Sequence, residues 1–238
     1  MKEPTIGVLV AVLDCVDTID AALDSVLSQM RAVEQVVVVD GGSTDGTLDR
    51  LASRDNIEVH RQRGEGLASA RNEGISILGT DLIAFCDADD RWLPNSIQCR
   101  SDYLRRNKDC GAVAGRAVTR TIDGHTIPPH RLDRLGKPVN GHTPGAVLIR
   151  RSLLPVTGAF DEGLRIAADS MWLARLIRSK IRFDFIEDIV LEKGLRADSL
   201  SADVDAYSQE LLVVVKESIA MGARPDSPAD AAPSDGIG

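Results

Sequence analysis

Aromatic residues are scarce in this chain of 238 residues: Phe, Tyr and Trp together make up 3%. Packing of sheet against helix must therefore be aliphatic, carried by the Val, Leu, Ala and Ile that dominate a 43% hydrophobic content. Positive charge is also in deficit, with 28 Lys and Arg against 36 Asp and Glu and a formal net charge of −8. That balance argues against non-specific binding to DNA or RNA, which leans on Lys and Arg. It leaves room for a local basic pocket that grips a phosphate. The four cysteines, Cys15, Cys86, Cys99 and Cys110, show no paired metal-ligand spacing such as C-x-x-C. Cys86 lies in an apolar stretch and reads as a small hydrophobe, and a reduced, cytoplasmic setting is expected. No signal peptide is expected, because a strand begins almost at once. No apolar run approaches the roughly 20 residues that span a bilayer. Peripheral association with a membrane or a protein partner stays open. The length fits one domain with a proper core, and no internal repeat is visible.

What the chain does have begins with VVVVDGGSTDGTLDRL at residues 36–51. An unbroken valine run reads as a strand buried on both faces, as in a parallel sheet. Gly41 and Gly42 permit a sharp exit. Ser43, Thr44 and Asp45 are natural helix N-caps. Further strands are expected at 5–13, 57–61, 81–87, 111–118 and near 145–150, with a short one near 182–191. Helices are expected at 17–31, 44–53, 66–78, 94–107, 168–179 and 203–221. The strand–helix alternation of the first half indicates an α/β domain with a doubly wound, mostly parallel mixed sheet and helices on both faces. Ligands in such folds sit beyond the carboxyl ends of the strands. Residues 121–145, rich in Gly, Pro, His and Arg, read as a long loop of the kind that serves as a lid. One domain is expected over 1–221. Residues 222–238 are low in hydrophobics and rich in Pro, Asp and Ala, and read as a disordered tail.

Three further stretches carry chemistry. In FCDADDRWLP, Asp87, Asp89 and Asp90 crowd a strand end. Like charges that close repel; either a cation such as magnesium or manganese joins them, or they form a solvated turn before the next helix. In GEGLASARNEG, Arg71 either pairs with a phosphate or bridges to a surface carboxylate. In GAFDEGLRIAADSMWLARL, Asp169 is either a helix N-cap or a general base held at a helix start. Trp172 reads slightly better as core than as a sugar or acceptor contact.

The order and spacing of these four stretches, covering residues from about 4 to 201, resembles the inverting family 2 glycosyltransferases of GT-A fold. The resemblance implies transfer of a sugar from a nucleotide-sugar donor to an acceptor hydroxyl. It implies that the loop after Asp40 cradles the nucleotide, that Arg71 lies near it, and that Asp87 belongs to the donor site. Asp89 and Asp90 would hold Mn2+ or Mg2+ on the donor diphosphate, and Asp169 would be the base. The chemistry agrees: a nucleoside diphosphate leaving group needs a cationic clamp, and the attacking hydroxyl needs one base within hydrogen-bond reach.

The chain also departs from that family. The first strand usually ends in Pro-x-Tyr-Asn, with the aromatic against the base; here it reads Ala11-Val12-Leu13-Asp14. The second of two consecutive aspartates is Gly41, and the acidic residue before the base is Ala168. Near the end of the fold a histidine is often found, where this chain has LEKGLRADSLSAD and the alignment falls on Arg196. Arg196 would either pair with the diphosphate or be a surface residue. Expected donor contacts are therefore Ala11, Leu13, Asp40, Gly41, Arg71, Asp87 and Arg196. The acceptor is expected to be a saccharide, a peptide or a small metabolite; His125, His130 and His142 of the variable loop read as solvated, with an acceptor contact by one of them the alternative. The alternative function is a non-catalytic interaction module on the same fold that has lost normal donor binding. A nucleotidyltransferase ranks last, because residues 11–18 lack a Gly-rich basic loop.

Overall fold

The computed structural model describes residues 3–122, 135–195 and 204–220. The expected tail, Arg196, His125, His130 and residues 123–134 of the long loop lie outside the described residues. The first half follows the expected alternation: β1 (Ile6–Val12), α1 (Ile19–Leu27), β2 (Gln35–Asp40), α2 (Thr47–Ala52), β3 (Glu58–Arg61), α3 (Gly66–Ile77) and β4 (Leu82–Asp87). Then come β5 (Arg91–Trp92), α4 (Ser96–Arg106), β6 (Cys110–Thr121), β7 (Val139–Asn140), β8 (Val147–Arg150), α5 (Leu154–Thr157), α6 (Ala168–Arg178), β9 (Arg182–Leu195) and α7 (Val204–Ala220).

The strands form one mixed sheet in the order β3-β2-β1-β4-β8-β6-β9-β5, with β7 paired to β6. Strands β1, β2, β3 and β4 are mutually parallel neighbours, and β6 is parallel to β9, while β8 runs antiparallel between β4 and β6. Two antiparallel steps restore direction, so β4, β6 and β9 end at the same edge as β1 and β2. That common carboxyl edge is where the carboxylates gather. The short strand expected near 182–191 is instead the longest in the sheet, 14 residues. Its partner β6 is buried on one side of it and supplies the ladder that a mixed, charge-bearing sequence (RFDFIEDIVLEK) does not advertise by periodicity.

The pleat of β1 divides the core. Ile6, Val8, Val10 and Val12 pack with Ile19, Ala22, Leu23 and Val26 of α1 and with Ile97 and Leu104 of α4. Leu9 faces the other way, with Ala68 and Ala70 of α3, Met171 and Trp172 of α6 and Val214 of α7. Alternation along the strand and the i, i+3, i+4, i+7 stripe of α1 are the two periodicities at work. Aromatics are few, and three of them are concentrated: Phe160 stacks on Trp172 at 5.1 Å, and Phe85 meets both edge-on. Trp172 is fully buried there, as core.

None of the expected N-caps Ser43, Thr44 and Asp45 occupies the N-cap position of α2, although Asp45 Oδ1 accepts from the Thr47 N–H at the helix start at 2.9 Å. Gly46, with φ 98°, occupies that position, and its left-handed backbone suits a glycine. The side chains lace two loops together instead. Ser43 Oγ accepts from the Asp14 N–H at 3.0 Å, and Asp14 Oδ1 accepts from the Thr44 N–H at 2.7 Å. Asp45 Oδ2 accepts from Val16 N–H and Thr47 Oγ1 accepts from Cys15 N–H, each at 2.9 Å. Asp14 sits at φ 48°, a conformation that aspartate tolerates when its carboxylate bonds locally.

The last helix is integral to the site's frame. Glu210 of α7 accepts from the N–H groups of Arg165, Ile166 and Ala167, the entry to α6, at 3.1, 2.8 and 2.7 Å. A carboxylate at a helix N-terminus satisfies orphan donors and complements the dipole. Burial pushes the Glu210 carboxyl up, but the N–H donors of Ala167, Ile166 and Arg165 outweigh it and hold the group below its ordinary value of 4.5. A depressed folded value means that this stabilisation is present above the ordinary value and lost as pH falls through the folded one. Glu210→Gln is therefore expected to lower the melting temperature at neutral pH and to flatten its fall below about pH 5. A melting series from pH 7 to 3 on both proteins checks this; parallel curves would exclude the cap.

Candidate active site

The site lies where β1, β2, β4 and β9 end. Asp87 is the last residue of β4 and stands opposite Ala11 in the β1–β4 ladder. Arg71 projects from α3 and is 1% exposed, so the surface-carboxylate reading of this residue is excluded. Its Nη2 donates to Asp87 Oδ1 at 2.6 Å, and its Nη1 forms an ion pair with Asp169 Oδ1. The guanidinium also lies over the Phe160 ring, 5.2 Å from its centroid. One planar fork thus ties the end of β4 to the first turn of α6, two regions 82 residues apart in sequence (169 − 87). Asn72, the next residue, locks the same joint from the other side. It exchanges hydrogen bonds with the Phe160 backbone at 2.9 and 3.0 Å and donates to Glu162 Oε1 at 2.8 Å.

Asp90 is fully buried. Its Oδ1 accepts from the Gly194 N–H at 2.8 Å, while its Oδ2 is buried with no hydrogen-bond donor among the described residues. Lys193, the residue before that glycine on β9, sets its ammonium 3.5 Å from Asp90 Oδ2 and 3.6 Å from Asp87 Oδ2. Burial pushes the Asp90 carboxyl up to about 7 against the pull of Lys193, with Asp87 and Asp89 adding to the rise. Burial also disfavours ionised Asp87, but Arg71 and Lys193 outweigh it and hold that carboxyl low. Asp90 and, after the burial penalty, Asp87 and Asp89 raise the Lys193 ammonium above its ordinary value. Asp89 is half-buried, and its backbone carbonyl accepts from Arg120 Nη2 at 3.0 Å. A Cβ on Gly194 would stand 2.1 Å from that carbonyl oxygen, so β9 approaches the turn as closely as it does because position 194 lacks a side chain.

The β1 and β2 ends form a second part of the edge. The Asp40 carboxylate is buried and accepts from Gly42 N–H at 2.9 Å and Ser43 Oγ at 2.5 Å. Asp40 is thus engaged in shaping its own loop. What faces outward is Leu13, 55% exposed, beside Gly41. A Cβ on Gly41 would stand 3.2 Å from Gln62 Oε1 and 3.5 Å from Leu13.

The structure therefore brings Ala11, Arg71, Asp87, Asp89, Asp90 and Asp169 to one edge, with Leu13, Asp40 and Gly41 alongside. Sequence reasoning did not find Lys193, Asn72, Gln62, Arg120 or Glu210. For Lys193 a signal existed: it lies in the LEKGLR run where a basic residue was expected, three positions before the residue chosen. The carboxylates suit a hard cation by their chemistry, and the unsatisfied Asp90 Oδ2 is an oxygen without a donor. Among the described residues no three His, Cys, Asp or Glu converge as a complete metal cage. Magnesium-type sites commonly take one or two carboxylates and complete their shell with substrate phosphates, and Asp89 and Asp90 fit that limited share. No helix among the described residues is long and apolar enough to cross a membrane, and none of the four cysteines is in a disulfide.

Comparison with known proteins bears on the fold and the family. The chain is 29% identical to the succinoglycan biosynthesis protein ExoU of Rhizobium meliloti (strain 1021), over 94% of this chain and 72% of that protein. It is 28% identical to a PGL/p-HBAD biosynthesis glycosyltransferase of Mycobacterium tuberculosis (strain ATCC 25177 / H37Ra), over 71% of this chain and 68% of the relative. Among solved structures, S. aureus TarS 1-349 in complex with UDP-GlcNAc superposes with a TM-score of 0.71 at 18% identity, over 93% of this chain and 68% of that one. The mannosyltransferase PcManGT from Pyrobaculum calidifontis, in complex with GDP-Man and Mn2+, gives 0.71 at 20% identity, over 94% and 67%. The fold is thus the GT-A type. The model of the family described as "Glycosyl transferase family 2" matches residues 7–166, and this chain belongs to that family.

Proposed function

We propose that this chain is an inverting glycosyltransferase that moves a sugar from a nucleoside-diphosphate donor to an acceptor hydroxyl. The observation that carries the proposal is the Asp87–Arg71–Asp169 network around the buried Arg71 guanidinium. It holds a carboxylate at the donor end of β4 and a candidate base at the head of α6 in one rigid geometry. The relatives' names and the nucleotide-sugars bound to similarly folded proteins support the same substrate class.

In this reading Asp169 takes the proton from the acceptor hydroxyl as it attacks the sugar. Arg71 fixes the orientation of Asp169, and Asn72 with Glu210 fixes the helix start that carries it. The nucleotide lies along Ala11, Leu13, Gly41 and Gln62, with Leu13 against the base face and Asp40 shaping the loop beneath. The diphosphate lies toward Asp87, Asp89 and Asp90, with Arg196 a candidate contact. Asp89 and Asp90 would hold a Mn2+ or Mg2+ ion, which when bound supplies positive charge against the departing diphosphate. The acceptor class stays a saccharide, a peptide or a small metabolite, and a reducing cytoplasmic setting fits the free thiols.

The test is a thermal-shift and calorimetric screen with uridine, guanosine, cytidine and thymidine diphosphates, with and without Mn2+. One nucleotide is expected to stabilise the protein, by about 2.7 kcal/mol at a hundredfold excess over Kd. Asp89→Ala is expected to remove the metal-dependent part. No shift with any nucleotide would reject the transferase reading in favour of a non-catalytic module, in which Leu13 and Gly41 mark lost donor binding.

A further inference from the structure

Lys193 occupies a place that the proposed transfer chemistry does not explain. Its ammonium lies between two carboxylate oxygens, 3.6 Å from Asp87 and 3.5 Å from Asp90. Both separations exceed the 2.7–2.9 Å typical of charge-assisted hydrogen bonds. The hold is therefore coulombic rather than bonded. Among the described residues, buried Asp90 Oδ2 has no hydrogen-bond donor, and the nearby Lys193 charge compensates that oxygen. Asp87 and Asp90 are fixed from behind by Arg71 and the Gly194 N–H. Lys193 is not fixed: its side chain is 45% exposed, on a flexible four-carbon stem. Two fixed carboxyl groups thus share one cation that can leave.

We propose that Lys193 is the resident cation of the donor site: it holds the position between Asp87 and Asp90 while no donor is bound, and moves onto the diphosphate when donor arrives. The inference rests on the nucleoside-diphosphate reading above. It adds an order of events. A divalent ion held by Asp90 would repel an ammonium facing the same oxygen. A free divalent ion must therefore displace a charge already paired, at the cost of leaving that ammonium against a dication. A metal–nucleotide complex meets no such penalty, because its phosphates receive the ammonium. Divalent metal and nucleotide should accordingly bind together and not metal first.

The experiment is calorimetry and Mn2+ electron paramagnetic resonance on the full chain, for wild type, Lys193→Met and Lys193→Arg. Met keeps most of the stem and removes the charge; Arg keeps the charge. Wild type and Lys193→Arg are expected to show no saturable Mn2+ binding in the absence of nucleotide. Lys193→Met is expected to gain a stoichiometric Mn2+ site, at least tenfold tighter than wild type, and to lose at least tenfold in nucleoside-diphosphate affinity at saturating Mn2+. Equal Mn2+ affinity in wild type and Lys193→Met would overturn the proposal, as would unchanged nucleotide affinity in Lys193→Met. If wild type binds no nucleoside diphosphate in any condition, the donor reading fails, and the Mn2+-alone comparison still decides whether Lys193 guards the carboxylates. Thermal melts confirm folding, and Lys193→Gln, which also removes the charge, carries the same two comparisons if Lys193→Met is unfolded.

Discussion

Asp169→Asn is expected to lower the transfer rate about 10²- to 10⁴-fold, the usual contribution of a positioned general base, while nucleotide affinity stays within about threefold of wild type. The amide matches the carboxylate in shape but has no basic oxygen for the acceptor proton. Arg71 keeps Asp87 as its second partner, so the end of β4 stays in place. Substrate turnover and nucleotide calorimetry on the same preparation check the split. Loss in the rate with donor binding preserved assigns Asp169 to chemistry. A wild-type rate would remove it from the mechanism, and a parallel loss of both would make it a strut of the donor site.

Arg71→Met is expected to cost about 3 kcal/mol of folding stability and to abolish donor binding together with transfer. Breaking a buried ion pair on one side typically costs 3–5 kcal/mol. The low end applies because the two carboxylates left behind retain 20% and 25% side-chain exposure and can draw in water. Lysine should not rescue it. A point charge cannot serve Asp87 and Asp169 together as a planar fork does. Urea unfolding gives the stability term, and calorimetry the donor term. A variant of normal stability and normal nucleotide affinity would contradict the role of Arg71 as the joint between the donor edge and α6.

These two residues also show how far the sequence could be read. Asp169 was legible as a cap or a base because it opens an apolar helical pattern. Arg71 was legible as a cation near a phosphate, but its partners were not. A guanidinium in a GEGLASARNEG helix carries no mark of full burial. Only the packing of α3 under Phe160 and α6 makes it a buried link between two carboxylates. The nucleotide loop shows a similar limit. Ser43, Thr44 and Asp45 suited a helix cap by type. They serve loop-to-loop bonds instead, because β1 and β2 are parallel neighbours whose exits lie side by side.

The sequence by itself determined the alternation of the first half and the strand-end position of Asp40 and Asp87. Valine runs and 3.6-residue stripes are local patterns, fixed by burial of one segment at a time. It also determined the family, whose model matches residues 7–166. Tertiary structure alone decided the reach of β9 to Leu195, the antiparallel insertion of β8, and the Glu210 clamp on α6. It alone decided that Lys193 faces Asp90 across 103 residues of chain (193 − 90). Such pairings depend on which segments meet, and a charge buried by another segment leaves no periodic trace in its own.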